Sequence, residues 1–284
     1  MTRDRSLALG GLLSLIILAP LAAGCPPTEG PPADPTPIED PARAWTALDV
    51  GSFGAAIDES GAAVFWGQNY IPSGFCDSPP PLRPSPPEGR FAALGVDAFN
   101  FCAIATNGRV LCDTNWGPHW SDRHPLDGVD ARSIDVACGH ACVVDTGGEI
   151  ACAFASNQPP FESPAGTGFQ EVAVAGCGGW ANDEALLGCS LDEEGRVLCF
   201  GHEAMPGAPP PDGPDHHSLS MVSDWACALD ADDRIVCWGD VDGLRIPPEG
   251  TFSQVAVGSR SACALDLDGY PQCWGQPSNA DQPP

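Results

Sequence analysis

The chain contains no lysine: its 12 basic residues are all arginine, set against 38 acidic residues, for a formal charge of −26 over 284 residues. So little positive charge excludes a nucleic-acid partner, whose phosphates need a basic surface. It equally disfavours adsorption on anionic lipid, and it favours a soluble monomer with a solvated acidic surface. Redox C-x-x-C and haem C-x-x-C-H motifs are also missing. Zinc sites gather cysteines two to four residues apart in sets of four with histidine. Only Cys138-Gly139-His140-Ala141-Cys142 approaches that spacing, and Cys142 has another partner below. The "DVDG" and "DLDG" fragments lack the twelve-residue ligand spacing of a calcium loop and are explained by turn chemistry. With six histidines, no nucleophile motif and no paired base, no catalytic constellation is visible. Neither an enzymatic activity nor a cofactor is expected. Long helical periodicity is absent from the mature chain.

What is present begins with an export signal. Arg3 and Arg5 precede an apolar run from Leu7 to Leu21, and "LAAGC" ends at Cys25. The run is short for a membrane span and ends in small residues, as a cleaved signal does. These small residues ending in cysteine resemble the lipobox of bacterial lipoproteins, although Ala22 stands three before the cysteine and Leu21 four before. The resemblance implies cleavage after residue 24 and lipidation of Cys25; the alternative is an ordinary secretory signal with an incidental cysteine. Pro26 after the lipidated cysteine, in place of an acidic residue, leans towards the outer membrane. Residues 25–43 are proline-rich and acidic, a composition that cannot bury a core and reads as an extended tether. The folded part is expected at 44–284, with the membrane reached only through the lipid.

Self-similarity organises that part. Five cysteine pairs share a ten-residue offset: Cys102/Cys112, Cys142/Cys152, Cys189/Cys199, Cys227/Cys237 and Cys263/Cys273. A sixth copy, "AAIDESGAAVFWG", has Ala55 and Phe65 in their places. Apolar alternation such as "FQEVAVAG" and "TFSQVAVG" precedes several copies and indicates a strand with one buried face. Each unit therefore supplies three short antiparallel strands, with a fourth available in the variable segment.

Placing Cys263 opposite Cys273 on a hairpin leaves the loop Leu267-Asp268-Gly269. Such a loop uses a type I turn followed by one left-handed residue, where glycine costs least. Gly61, Gly108, Gly148, Gly195 and Gly269 hold that position, and Asp233 holds it in the fifth copy. Opposed residues in a non-hydrogen-bonded pair lie about 4.5–5.5 Å apart, which suits a disulfide in an exported protein. The cysteines are read as five staples. Of the others, a Cys138–Cys177 bridge between neighbouring units is the preferred pairing, with Cys76 left over.

"PPEGTFSQVAVGSRSACALDLDGYPQCWG" (Pro247 to Gly275) resembles one unit of the regulator of chromosome condensation repeats, in the cysteine-bearing form of secreted bacterial proteins. The resemblance extends over six units from about Trp45. It is strong in units five and six and blurred in two and three, where Asp113 and Ala153 replace the aromatic of the Trp-Gly pair. It implies an all-β fold, a β-propeller of about six blades with seven as the alternative. A three-stranded unit cannot bury both faces alone, which agrees. The repeated Trp and Phe are assigned to packing between blades. The nucleotide-exchange activity of the best-known member is not carried over, because fold does not set function.

Function is therefore sought in segments that depart from the repeat. The largest, "CGGWANDEALLGC", carries Trp180, Asp183 and Glu184; the others carry Tyr70, and Trp116 with Trp120. An aromatic-plus-acid patch suits a non-catalytic binding module for a protein or glycan. A structural envelope or spore-coat lipoprotein is the alternative, and a propeller hydrolase or lyase the second. The location expected is the bacterial cell envelope, through the lipid anchor, or the extracellular space.

Overall fold

The structure, a computed structural model, describes residues 44–51, 54–66, 88–97, 101–113, 125–137, 140–154, 163–175, 187–201, 207–222, 225–239, 246–258 and 261–275. Among these residues eighteen strands form six antiparallel sheets, each in the order inner, middle, outer. Blade 1 is β1 (Trp45–Val50), β2 (Gly54–Asp58) and β3 (Ala63–Trp66). Blade 2 is β4 (Phe91–Val96), β5 (Phe101–Ala105) and β6 (Val110–Asp113). Blade 3 is β7 (Ala131–Ala137), β8 (His140–Asp145) and β9 (Ile150–Phe154). Blade 4 is β10 (Phe169–Ala175), β11 (Leu187–Asp192) and β12 (Val197–Gly201). Blade 5 is β13 (His217–Val222), β14 (Trp225–Leu229) and β15 (Ile235–Gly239). Blade 6 is β16 (Phe252–Val257), β17 (Ser261–Asp266) and β18 (Pro271–Gly275).

The middle–outer hairpins follow the sequence closely. In blade 6, Asp266 N–H donates to Tyr270 O at 2.9 Å, so the next pair, Leu265↔Pro271, is non-hydrogen-bonded and a proline on the outer strand costs no ladder bond. Two steps further Cys263 opposes Cys273. Every pair expected from the ten-residue offset is a disulfide. Cys102–Cys112, Cys142–Cys152 and Cys227–Cys237 each have a Cα–Cα distance of 4.1 Å. The distance is 3.9 Å in Cys189–Cys199 and 4.0 Å in Cys263–Cys273. These values fall below the roughly 4.5 Å of an unbridged pair, because the sulfur link draws the strands together. Within each bridge the two cysteines differ in burial. Cys102, Cys142, Cys189, Cys227 and Cys263 are buried on middle strands, whereas Cys112, Cys152, Cys199, Cys237 and Cys273 are half-buried on outer ones. Blade 1 pairs Ala55 with Phe65 at the same register and has no staple there. Cys76, Cys138 and Cys177, and the pairing expected of them, lie outside the described residues.

The turn residue has two tasks. Its φ is 60° at Asp233 and 72° to 86° at the five glycines, the left-handed region. Its carbonyl also accepts the N–H that opens the next blade: Gly61 from Phe91, Gly108 from Ala131, Gly148 from Phe169, Gly195 from His216, Asp233 from Phe252 and Gly269 from Trp45, all at 2.8 to 3.1 Å. The last of these joins blade 6 to blade 1.

Apolar packing repeats this ring. Each hydrophobic cluster joins two neighbouring blades, and one unites Leu48, Val50 and Trp66 of blade 1 with Ala256, Cys263 and Leu265 of blade 6. The core is thus a set of inter-blade seams, each buried aliphatic side chain contributing about 1.5–3 kcal/mol. Trp66, Trp238, Phe200 and Trp274 all lie in these seams, as expected. Six blades close the circle.

Each sheet has the three strands expected, and among the described residues only the single bridges Arg109↔Asp130 and Ala208↔Gly239 mark a fourth position. The inner strands depart from the simple one-faced alternation. The inner strands bury both faces towards their ends, as in Val255-Ala256-Val257, because a blade packs neighbours on each side. Each inner strand also carries an irregularity near its start, such as that between Trp45 and Ala47. A bulge re-aims side chains, and at two of these Thr46 and Ser253 turn onto carbonyls of their own blades.

Candidate functional site

The inner strands surround a cavity of about 600 Å³ on the propeller axis. Their registers stack side chains in two rows. Opposite the first cysteine position stand Asp49, Gly95, Asp135, Ala173, Ser220 and Ala256. Two residues earlier stand Ala47, Ala93, Ser133, Glu171 and Gln254, with Ser218 serving in blade 5, where the irregularity is wider.

The polar members of these rows fasten each blade to the next. Val96 N–H donates to Asp49 Oδ2 at 2.8 Å across seam 1/2. Across seam 3/4, Val174 N–H donates to Asp135 Oδ2 at 2.7 Å and Val172 N–H to Ser133 Oγ at 3.2 Å. Leu219 N–H donates to Glu171 Oε1 at 3.0 Å across seam 4/5. Ser218 and Ser220 accept from Val255 and Val257 at 2.8 and 2.9 Å across seam 5/6. Gln254 binds Leu48 with both ends of its amide, at 2.8 and 3.0 Å, across seam 6/1. At seam 2/3 the rows hold Ala93 and Gly95, and a Cβ on Gly95 would lie 3.0 Å from Val136 N. Close backbone approach replaces the side-chain clasp there.

Three of these clasps are carboxyls. Asp49 and Asp135 each also accept the N–H of the following residue on their own strand, from Val50 and Val136, both at 2.8 Å. The carboxyls border the cavity and are half-buried between blades. Burial pushes Asp49 up to about 6, opposed by its bonds from Val96 and Val50 and reinforced by the charge of Asp97. Burial likewise pushes Asp135 well up, helped by the like charges of Asp49 and Glu171. Glu171 is pushed up to about 7 by burial, against the backbone bonds of Leu219 and Ser218. Desolvation therefore wins over hydrogen bonding at all three. Arg132 also lines the cavity and bonds Gln170 Oε1 at 2.9 Å and the carbonyl of Thr146.

Trp180, Asp183, Glu184, Trp116, Trp120 and Tyr70 lie outside the described residues, as does Cys25. Segment 176–186 leaves blade 4 at Ala175 and re-enters at Leu187, two residues that pair directly. His217 meets Asp233 at 3.1 Å and His216 Nδ1 meets Gly195 O at 3.1 Å, so both ring systems serve the blade 4/5/6 hairpins. Among the described residues no group of three or more metal-ligating side chains converges.

Sequence reasoning passed over Asp49, Asp135 and Glu171. Their signal was an acid inside an apolar alternation, as in "LDV", "IDV" and "QEV". Without the closed ring, such an acid reads as solvated.

No protein-family profile matches the chain, and no curated protein matches it in sequence. Solved structures do. The CRINKLY WD40 ectodomain of the Arabidopsis thaliana receptor kinase ACR4 matches with TM-score 0.54 and 21% identity, over 81% of this chain and 79% of that one. The ectodomain of the Physcomitrella patens receptor kinase CR4 matches at 0.53 and 21%, over 80% and 60%. Yeast RCC1 (Prp20), in its structure bound to Kap60, matches at 0.53 and 14%, over 80% and 69%. With this geometry and these likenesses, the chain is in fold a β-propeller, similar to that of RCC1.

Proposed function

We propose that the chain is a non-catalytic, exported binding module, held at the cell envelope by a lipid on Cys25 and engaging a protein partner through segment 176–186. One observation carries the reading. Blades 4 and 6 share register and staple, with Gly258 and Ser261 standing where Ala175 and Leu187 do, yet blade 4 inserts 176–186 where blade 6 crosses with 259–260. An insertion on a rigid scaffold, carrying Trp180, Asp183 and Glu184, is where recognition is most readily placed. The five disulfides suit an oxidising compartment. Propellers of the same fold include ectodomains and a protein crystallised with a protein partner.

The test replaces 176–186 with the Ser-Arg of blade 6 (residues 259–260). Envelope proteins retained by the native chain are expected to be lost by this variant while its melting temperature is kept; equal retention by both overturns the reading. Labelling with a radioactive fatty acid checks the anchor, which Cys25→Ala must abolish.

A further inference from the structure

The axial carboxyls are more than seam fasteners. Asp49, Asp135 and Glu171 converge on one cavity from blades 1, 3 and 4, and each holds a backbone N–H of the next blade. No lysine exists to neutralise them. The charged and titratable groups around them are few. Asp97 follows β4, the strand that Asp49 clasps, and its charge acts on Asp49. Arg132 lies on β7 and is already bonded to Gln170 and Thr146. On β8, His140 directs Nδ1 at Ala137 O, 3.2 Å away. On β11, Asp192 accepts the N–H groups of its own hairpin. From blade 5, His216 and His217 reach the cavity edge but bond Gly195 O and Asp233. The strands β13 and β16 otherwise present Ser218, Ser220 and Gln254. Ionising all three carboxyls places like charges in confined space, where the lining bases Arg132, His216 and His217 already bond other groups.

We propose that the axis is a proton-operated clasp: Asp49, Asp135 and Glu171 take up protons as the medium turns mildly acidic, and the seams that they bridge tighten. A neutral carboxyl keeps its carbonyl oxygen on an N–H while removing its charge from the cavity. The direction follows from linkage. The folded values of Asp49 and Glu171 lie at about 6 and about 7, above the ordinary 3.8 and 4.5. Groups raised on folding contribute stability that is complete below their ordinary values and is lost as pH rises through the folded ones. The window therefore runs from about pH 4 to about pH 7. This inference stands on the axis alone and holds whatever partner segment 176–186 engages.

The experiment follows thermal unfolding of the full chain from pH 5 to pH 8 in 0.5 M sodium chloride, where repulsion between surface acids is screened. The melting temperature of the native chain is expected to fall by about 10 °C across that range. The triple variant Asp49→Asn, Asp135→Asn, Glu171→Gln cannot ionise. Each Asn keeps one of the two acceptor oxygens of its Asp and the Gln keeps the acceptor for Leu219, so the variant is expected to be less stable but its profile flat. A flat or rising native profile, or an unchanged slope in the triple variant, overturns the proposal. So does a His216→Asn, His217→Asn variant that flattens the profile by itself. Should the triple variant not fold, carboxyl carbon NMR titration of the native chain decides: three carboxyls with midpoints near or above 6 support the clasp, and none above 5 overturns it.

Discussion

Asp192 at a hairpin tip and the aspartates on the axis do the same local work and answer to pH in opposite senses. Asp192, at the tip of blade 4, accepts the N–H groups of Glu194 and Arg196 on one oxygen, at 3.0 and 2.8 Å. Partial burial works against its ionisation, but those bonds and the Arg196 guanidinium outweigh it and hold the carboxyl below its ordinary value. Asp135 also accepts two N–H groups, at 2.7 and 2.8 Å, yet is pushed well up. Hydrogen bonds are matched, so access to bulk water and the neighbouring charge decide the sign.

The comparison breaks most visibly if the axis is truncated. Asp135→Ala is expected to cost about 2–4 kcal/mol, since the N–H groups of Val136 and Val174 both lose their acceptor; urea denaturation measures it. The tips can be dissected by glycine. Gly269 and Gly108 have nearly the same φ, 83° and 86°, but a Cβ on Gly269 would lie 2.8 Å from Trp45 O, whereas one on Gly108 meets nothing within 4 Å. Gly269→Ala should cost about 2–3 kcal/mol, because the closing seam must also shift. Gly108→Ala should cost about 1 kcal/mol, the conformational term alone. Equal losses would show that close approach at the tip carries no weight. The smallest effect is a matter of sign. The lowered value of Asp192 means that its contribution is present above its ordinary pKa and fades as pH falls through the folded one. Asp192→Asn should therefore flatten stability only on the acid side of pH 4 and leave pH 5 to 8 untouched, as pH-dependent denaturation would reveal.

How much of this was legible depends on whether a residue's role is local. The ten-residue cysteine offset and the turn residue are hairpin properties. Cys112, Cys152, Cys199, Cys237 and Cys273 could each be matched to a partner, and five glycines and Asp233 to a turn, from adjacent sequence alone. Asp233 was the harder case, recognisable because aspartate tolerates left-handed backbone. The axial row was not legible, because Asp49 and Asp135 are set apart by their partners on the next blade, Val96 and Val174, and no local pattern encodes a neighbour that far along the chain. The inner-strand bulges were missed likewise: Thr46 and Ser253 satisfy carbonyls of Ile57 and Asp266, at 3.2 and 3.1 Å, only once the sheet exists. The binding segments were visible as interruptions, and what they contact lies beyond any repeat.

Five of the six seams are crossed by the polypeptide itself, whereas blades 6 and 1 meet without a covalent link. Among the described residues, Trp45 N–H on Gly269 O, Gln254 on Leu48, and an apolar cluster that includes Trp66 and Leu265 hold that junction. The chain also enters the ring there, at Ala44, so tension applied through the N-terminal side is delivered first to the Trp45–Gly269 bond. The circle is built like a buckled belt whose strap is pulled at the buckle, and under load that joint is the one that yields.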